Sequence, residues 1–417
     1  MIEKDLIKLL IAEYQREIVN VQLVERAYKM ESGLNYVFVG LRRSGKSYLM
    51  FQQMQQLLKN GHFMDEILYF NFEDDRLGML DTVDLDLIKV CYEEMYDHKP
   101  IFFLDEIQIV PGWEKFARRL ADQNYRVYIT GSNAKMLSCE IATTLGGRYM
   151  IRNVYPFSFK EFLHYQGIDI EDKNAIFRFR AEINKAFEAY FKFGGLPETL
   201  KVDGKREWLS NLYQKVFFGD LISRYQIRND FALRVLIRKL AESVKQPSSF
   251  NRLANVVSAT GKKISADTVI DYLGYLKESW MIHPMENYAA KLADKETNKK
   301  YYFIDNGILN LFLPDPHTSL LENLVAGQLR RLFGDEVYFY HSGVEVDFYV
   351  PELQLAVQAC YNLNDIETRT REINALLQLA KRTELRKMLI ITKDDETIIS
   401  ENGTHIEVLP VWKWLMF

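Results

Sequence analysis

Apolar residues recur with two different spacings through the first third of the chain. Residues 1–30 place them mostly three and four positions apart, which predicts an amphipathic helix packed beside the first strand. Short apolar runs follow, each separated from the next by a segment long enough for a helix, at residues 36–39, 67–70, 101–104 and 127–129. This alternation predicts a parallel β-sheet with helical crossovers.

The pattern becomes helical after residue 155 and stays helical to about residue 243. A glycine–proline break, FGGLPE at residues 193–198, interrupts it. We interpret this region as a helical lid on the preceding sheet.

The last part of the chain mixes both patterns. Residues 249–280 predict two short helices, the second capped by Ser265, and strands are expected near Ile282 and at residues 301–304. This order is typical of a winged helix. From Ser319 onward we expect a helix, two strands, a second helix and a final strand.

The composition indicates an ordinary globular protein of several domains. The chain has 417 residues, of which 48% are hydrophobic and 26% are charged. The net charge is −4, from 53 basic and 57 acidic residues, so nucleic-acid binding would need a local basic patch. Three scattered cysteines fit a reducing compartment and lack the spacing of a zinc site. Charges throughout the first 20 residues are not the pattern of a signal peptide or membrane span, and we predict a cytoplasmic protein without a membrane partner.

A glycine-rich loop follows the first predicted strand. In NYVFVGLRRSGKSYLM, residues 35–50, the loop has the pattern G-x-x-x-x-G-K-S between a strand and a helix. Its backbone amides can approach phosphate oxygens at a helix N-terminus. Lys46 would reach the β- and γ-phosphates of ATP, and the Ser47 hydroxyl would ligate Mg²⁺. The predicted nucleotide-binding residues are Gly40, Leu41, Arg42, Arg43, Ser44, Gly45, Lys46, Ser47 and Tyr48.

Acidic and polar residues end the third and fourth candidate strands. KPIFFLDEIQIV, residues 99–110, places Asp105 and Glu106 at the carboxyl edge of the sheet, where ligands bind. Asp105 would hold Mg²⁺, and Glu106 would polarise the attacking water. In YRVYITGSNA, Ser132 is the first candidate to contact the γ-phosphate, with Thr130 or Asn133 as alternatives, although the same residues also favour turns.

An arginine without a clear core role precedes another strand-like run. Arg148, in TTLGGRYMIRNVYPFSFKEF, would stabilise transition-state charge if it were supplied to the ATP of a neighbouring chain. The alternative is a surface ion pair. The first interpretation implies a homo-oligomer.

These elements together resemble the AAA+ branch of P-loop ATPases. GLRRSGKS, FFLDE, ITGSN and GGRYMIRNVYPFSF are similar to that family over about the first 160 residues. The resemblance implies that residues 40–47 are Walker A, Asp105 and Glu106 are Walker B, Ser132 is sensor 1 and Arg148 is an arginine finger. Arg224 is a candidate for sensor 2. FGGLPE, YYFIDNGI, LENLVAGQLRR and HSGVEVDFYV resemble a large family of prokaryotic ATP-binding proteins whose C-terminal part has no known function.

The C-terminal part resembles a restriction-endonuclease fold. In that fold a helix glutamate, a strand aspartate and an E-x-K pair bind metal, and Glu322 and Asp347 match the first two positions. LAVQACY has Gln358 in place of the acid and Cys360 in place of the lysine. A neutral amide and a thiol do not replace those groups in phosphodiester hydrolysis, so we predict an inactive nuclease-like domain.

The predicted winged helix has two possible partners. Its second helix carries Asp267, Asp271 and Glu278 against Lys277, so the charge for binding DNA would come from other basic residues. Those residues are Lys262, Lys263 and the KETNKK loop at 295–300. DNA and a protein partner both stay open.

The fold class predicted from these observations is α/β, a P-loop NTPase sheet with a helical lid, then a winged helix and a small α+β nuclease-like domain. The predicted domains are residues 1–155, 156–243, 244–316 and 317–417. We expect an ATPase that uses ATP and Mg²⁺ to switch the conformation of the later modules. The alternative is a regulatory protein or scaffold that binds ATP with little turnover, but such a protein has no need of Glu106 as a water-polarising acid.

Overall fold

The computed structural model describes residues 2–131, 144–170, 174–401 and 403–416. The chain divides into two compact units, Met1–Tyr155 and Pro156–Phe417. The division into four domains stays a prediction.

The first unit is built on five parallel strands. They are β1 Asn35–Val39, β2 Ile67–Asn71, β3 Ile101–Asp105, β4 Val127–Gly131 and β5 Tyr149–Asn153, in the order β2-β3-β4-β1-β5. The described helices of this unit are α1 Lys4–Asn20, α2 Lys46–Lys59, α3 Thr82–Met95 and α4 Trp113–Asp122. All residues of β3 and β4 are buried, which explains why these strands are continuous apolar runs rather than alternating ones. The predicted α/β sheet is confirmed.

The first helix is shorter than its apolar pattern suggests. It ends at Asn20, and residues 21–30 are not helical. The side chain of Gln52, on α2, bonds to both backbone groups of Arg26, so this segment lies on α2 instead of continuing the helix. Helix α1 packs on β2 and α3 rather than mainly beside the first strand.

The second unit begins with helices and a small antiparallel sheet. The helices are α5 Phe159–Tyr165, α6 Ala175–Arg178, α7 Arg180–Phe193, α8 Lys205–Lys215 and α9 Asp230–Glu242, with a π-helical segment at Val216–Ser223. Two more, α10 Phe250–Ser258 and α11 Ala266–Glu278, precede the strands. The strands β6 Ser248–Ser249, β7 Ile282–Met285 and β8 Asn298–Phe303 pair in the order β6-β8-β7. The Ser265 hydroxyl accepts a hydrogen bond from the Thr268 amide at 3.1 Å, so it caps α11 as predicted.

A six-stranded mixed sheet ends the chain. Its strands are β9 Tyr338–His341, β10 Glu345–Val350, β11 Leu355–Ala359, β12 Lys387–Thr392, β13 Thr397–Glu401 and β14 Thr404–Pro410. The order is β13-β14-β12-β11-β10-β9. The remaining helices are α12 Leu292–Thr297, α13 Asn306–Leu309, α14 His317–Phe333, α15 Ile366–Ala380 and α16 Val411–Trp414. The expectation of three strands was wrong, because edge strands such as β13 expose most of their side chains and have no apolar run to mark them.

Two glycine motifs of the second unit meet at one buried carboxylate. Asp305 accepts hydrogen bonds at 2.8 Å from the amides of Gly195 and Gly307. Gly194 has φ +74°, and a Cβ there would lie 1.9 Å from the Asp305 Oδ1. The glycines of FGGLPE and IDNG are therefore required by the close approach of α7 to the loop after β8.

Candidate functional site

The loop from Gly40 to Ser47 connects β1 to α2. Helix α2 begins at Lys46, and Gly45 before it has φ +95°, in the left-handed region that glycine favours. A Cβ at Gly40 would lie 2.2 Å from the carbonyl oxygen of Val154, so a larger residue would displace the loop from β5. Both glycines of the motif are thus required by the backbone.

Lys46 is buried inside this loop, with 4% of its surface exposed. Its Nζ donates to the carbonyl oxygens of Gly40 and Leu41, each at 3.2 Å, and lies 3.8 Å from Glu106 Oε1. Burial lowers the pKa of Lys46, and the carboxylates of Glu106 and Asp105 oppose this shift. The nearest acceptors of the ammonium group are therefore neutral carbonyls, and the more distant Glu106 carboxylate balances its positive charge only in part.

Three hydroxyl groups form hydrogen bonds to the carboxylate of Asp105, the last residue of β3. Thr130 Oγ1 and Tyr69 OH donate to its two oxygens, the latter at 2.8 Å. Burial and the neighbouring Glu106 carboxylate raise the pKa of Asp105, and hydrogen bonds from Thr130, Ser47 and Tyr69 lower it. The two residues predicted to hold Mg²⁺, Ser47 and Asp105, are thus in contact.

Glu106 has an uncommon backbone conformation for a non-glycine residue, with φ +57°. Its amide donates to Thr130 Oγ1 at 2.9 Å, and its Oε2 accepts from Gln108 Nε2. Strained residues of this kind cluster at functional sites because the surrounding contacts fix the direction of the side chain. Thr130 therefore contacts both acids at the carboxyl edge of the sheet.

The chemistry of the loop fits a triphosphate. Ser44 is fully buried, and its Oγ has no hydrogen-bond partner in the described part of the chain. An unpaired hydroxyl and a partly compensated ammonium in one glycine loop suit an anion with several oxygens. Among the described residues no group of three His, Cys, Asp or Glu could hold a metal. A hydroxyl and a carboxylate nevertheless fit Mg²⁺, which takes few protein ligands beside phosphate oxygens.

Other predicted residues have different surroundings. Arg43 and Tyr48 are exposed, and Arg42 forms an ion pair with Glu73 at 3.2 Å. Ser132 and Asn133 lie outside the described residues, and the alternative candidate Thr130 is at the site.

Arg148 lies at the far end of the sheet from the loop of its own chain. Tyr149 pairs in register with Asn35, at the start of β1, whereas the glycine loop follows the end of that strand. The Arg148 Nε is 2.5 Å from Asp122 Oδ1, so within one chain it forms a surface ion pair. Its role as an arginine finger stays a prediction. Arg224 likewise bonds to Asp220 at 3.2 Å, and its role as sensor 2 stays a prediction.

Sequence reasoning missed three residues of the site: Tyr69, Gln108 and Arg26. Tyr69 lies in the middle of an apolar strand, β2, and only the pairing of β2 with β3 brings its hydroxyl to Asp105. Gln108 follows the two acids directly in sequence. Arg26, which bonds to the Ser44 carbonyl at 3.2 Å, had no local signal because it lies in what was read as a helix.

A second group of carboxylates surrounds a buried lysine in the second unit. Lys300, on β8, is 0% exposed, and its Nζ lies 3.3 Å from Glu322 Oε1, 3.3 Å from Glu345 Oε1 and 3.4 Å from Asp347 Oδ1. Tyr302 OH donates to Glu322 at 2.9 Å. The carboxylates raise the pKa of Lys300, although burial alone would lower it, and burial raises the pKa of Glu322 to about 7. Glu322 and Asp347 do come together, but around an ammonium group.

Gln358 and Cys360, at the other two positions of the predicted nuclease motif, form hydrogen bonds to the backbone. Gln358 Oε1 accepts from the Asp347 amide at 2.8 Å, and its Nε2 donates to the Glu345 carbonyl. The Cys360 thiol is buried, which raises its pKa to about 11, and it donates to the Asn362 carbonyl. The inactive nuclease-like domain stays a prediction.

The basic charge that DNA binding would need is partly taken up. Lys299 pairs with Glu286 at 2.9 Å and Glu296 at 3.1 Å, and Lys300 is buried. Of the three lysines in KETNKK, Lys295 has neither of these environments. The segment is not the predicted loop, because residues 295–297 end α12 and residues 298–300 begin β8.

The five-stranded parallel sheet and its glycine loop have the fold of a P-loop NTPase, and a second unit follows it in the chain. Residues 34–163 match the family model described as an AAA domain, and residues 184–318 match a domain of unknown function, DUF8612. The Walker-type ATPase PABY2304 of Pyrococcus abyssi aligns with a TM-score of 0.41 and 13% identity, over 75% of this chain and 96% of that one.

Two curated relatives match nearly the whole chain. The uncharacterized protein MJ1544 of Methanocaldococcus jannaschii is 34% identical over 393 residues, which cover 91% of this chain and 87% of the relative. An uncharacterized protein of Haemophilus influenzae is 31% identical over 392 residues, which cover 91% and 94% of the two chains. The chain belongs to the family of these two proteins. None of the helices within the described residues is long and apolar enough to cross a membrane.

Proposed function

We propose that this protein binds ATP with Mg²⁺ in the loop from Gly40 to Ser47 and hydrolyses it. The observation that carries the proposal is the convergence of Lys46, Ser47, Asp105 and Glu106 at the carboxyl edge of one parallel sheet, with Thr130 joining the two acids. Bound ATP and Mg²⁺ would supply the phosphoanhydride bond and the charge that favours its cleavage.

The residues have separable roles in this proposal. Lys46 exchanges its two carbonyl acceptors for phosphate oxygens, and this exchange relieves its incomplete charge compensation. Ser47 and Asp105 would hold Mg²⁺. Glu106 would accept a proton from the attacking water. Thr130 fixes the Glu106 backbone by accepting a hydrogen bond from the Glu106 amide.

Arg148 would complete the site from a neighbouring chain. Its position at the opposite end of the sheet supports supply in trans rather than in cis, because five strand residues, about 16 Å, separate it from the loop of its own chain. This requires a head-to-tail homo-oligomer. The exposed ion pair with Asp122 is weak enough to exchange.

Nucleotide turnover would change the conformation of the second unit, with its winged-helix and nuclease-like modules. The charge distribution supports a protein partner better than DNA, because α11 exposes Asp267 and Asp271 and the nearby Lys299 is ion-paired. A scaffold with little turnover is the alternative, but it would not explain why Glu106 has a strained backbone conformation.

The test is Glu106→Gln in an ATPase assay, with calorimetry for ATP affinity. We expect ATP binding to be kept and the rate to fall by about a hundredfold or more, the scale for loss of a positioned base. Glu93→Gln, an exposed change on α3, is the matched control and should have the wild-type rate. A Glu106→Gln rate near wild type would show that Glu106 is not the base, and negligible wild-type turnover with tight ATP binding would favour the scaffold.

A further inference from the structure

Arg26 is a buried arginine beside the glycine loop, with 4% of its surface exposed. Its backbone amide donates to Gln52 Oε1 at 2.9 Å, and Gln52 Nε2 donates to its carbonyl at 2.8 Å. These two bonds fix the segment on α2 through the backbone, whereas the guanidinium group bonds to other acceptors.

The guanidinium group joins two backbone carbonyls that are distant in sequence. Nη1 donates to Ser44 O at 3.2 Å, and Nη2 donates to Tyr155 O at 2.9 Å. The ring of Tyr28 lies 5.1 Å from the guanidinium carbon. A planar fork suits two separate carbonyls, whereas a lysine would present a single point charge.

The bond to Ser44 fixes a peptide group of the phosphate loop. In a trans peptide the C=O and the following N–H point in opposite directions, so a Ser44 carbonyl directed at Arg26 turns the Gly45 amide away from Arg26. Gly45, with φ +95°, has the freedom to rotate this peptide otherwise. A charge-assisted bond to the carbonyl also polarises the amide and makes it a stronger donor.

We propose that Arg26 is a positioning residue of the nucleotide site, which orients and polarises the Ser44–Gly45 peptide toward the phosphates. This inference rests on the proposed ATP binding. The loop is then held at both ends, at Gly40 by packing on Val154 and at Ser44 by Arg26.

The test compares Arg26→Lys and Arg26→Met with Gln52→Ala. Gln52→Ala removes the two bonds that hold the same segment but keeps the guanidinium group itself. Affinities for ATP and ADP are measured by calorimetry, and KM, kcat and thermal unfolding are measured for each variant.

We expect Arg26→Lys to weaken ATP and ADP binding by the same factor, about tenfold or more, the effect of one charge-assisted hydrogen bond. KM should rise while kcat at saturation stays close to wild type, because the change acts on ground and transition states alike. Gln52→Ala should lower the unfolding temperature but keep the nucleotide affinity.

Equal losses of affinity in Arg26→Lys and Gln52→Ala would reduce Arg26 to a structural role and overturn the inference, as would a folded Arg26→Lys with wild-type affinity. If Arg26→Met does not fold, Arg26→Lys decides alone. A wild-type chain that does not bind ATP would instead refute the proposed function.

Discussion

Each unit of the chain contains a buried lysine beside carboxylates, and the surroundings of the two differ. Lys46 donates to two neutral carbonyls, with Glu106 at 3.8 Å, and its pKa is lowered. Lys300 lies within 3.4 Å of three carboxylates, and its pKa is raised. The Lys46 ammonium group therefore has its nearest carboxylate at 3.8 Å, whereas the Lys300 ammonium group has three carboxylates within 3.4 Å.

This difference separates a site that needs a ligand from one that does not. A buried cation whose nearest acceptors are neutral gains most from an anion, and phosphate oxygens supply it. A buried cation within three carboxylates already has the counter-charges that compensate its burial. The comparison therefore supports the proposed ligand binding at the loop around Lys46, and it indicates a structural ion cluster around Lys300.

The largest effect is expected from removing the ammonium of Lys300. Lys300→Met leaves the buried Glu322 and the partly buried Asp347 without this counter-charge, which should destabilise the second unit by about 3–5 kcal/mol. Lys299→Met is the matched control, since it removes a less buried ion pair, and it should cost about 1 kcal/mol or less. Denaturant unfolding of both variants measures the difference.

A compensating change distinguishes charge from packing. The double variant Lys300→Met with Glu322→Gln removes one charge of each sign and should recover part of the lost stability. If Lys300→Met is as stable as Lys299→Met, the carboxylates do not depend on Lys300 and the comparison fails.

Lys46→Met should have the opposite pattern, a small effect on folding and a large one on binding. The nearest acceptors of its Nζ are neutral carbonyls, and the buried Glu106 carboxylate at 3.8 Å keeps its hydrogen bond from Gln108. We therefore expect the unfolding free energy to stay within about 1 kcal/mol of wild type. ATP affinity should fall by about a hundredfold or more, because the cation that faces the β- and γ-phosphates is lost. Calorimetry checks this, with Lys59→Met at the exposed end of α2 as the control. Unchanged affinity would refute the assignment of the loop.

The loop could be predicted from sequence because its determinants are local. Gly40, Gly45, Lys46 and Ser47 lie within eight positions, and the acids follow directly after an apolar strand. The cluster around Lys300 could not be predicted in the same way, since its partners are 22 and 47 positions away and nothing local marks a lysine as buried.

Arg26 could not be predicted from sequence for the same reason, since its partners are distant in the chain. The hydrogen bond from its guanidinium group to Tyr155 spans 129 positions, and its neighbours in sequence suggested a helix. The strand spacing gave the α/β fold, but the hydroxyls that hold Asp105 depend on which strands become neighbours. Tyr69 contacts Asp105 because β2 pairs with β3.

The stability of the second unit should depend on pH through Glu322, which belongs to the cluster around Lys300. Burial raises the folded-state pKa of Glu322 from 4.5 to about 7, so folding favours its protonated form. Its contribution to stability is therefore full below about pH 4.5 and is lost as the pH rises through about 7. Glu322→Gln should flatten the pH dependence of the unfolding temperature in that window. An unchanged profile would show that Glu322 stays ionised throughout, as a carboxylate dominated by Lys300 rather than by burial.

The smallest folding effect is expected at Arg148, and this makes it the cleanest probe of assembly. Its exposed ion pair with Asp122 is worth about 1 kcal/mol or less, so Arg148→Ala and Asp122→Ala should both fold nearly as well as wild type. If Arg148 serves the ATP of a neighbour, Arg148→Ala alone should lose turnover, by about 10³-fold or more on the scale of a trans arginine. Mixing Arg148→Ala with Lys46→Met chains should then restore some hydrolysis, because one interface in the mixture pairs an intact loop with an intact arginine. A monomer with full activity, or an Arg148→Ala chain that hydrolyses ATP as fast as Asp122→Ala, would restrict Arg148 to the ion pair.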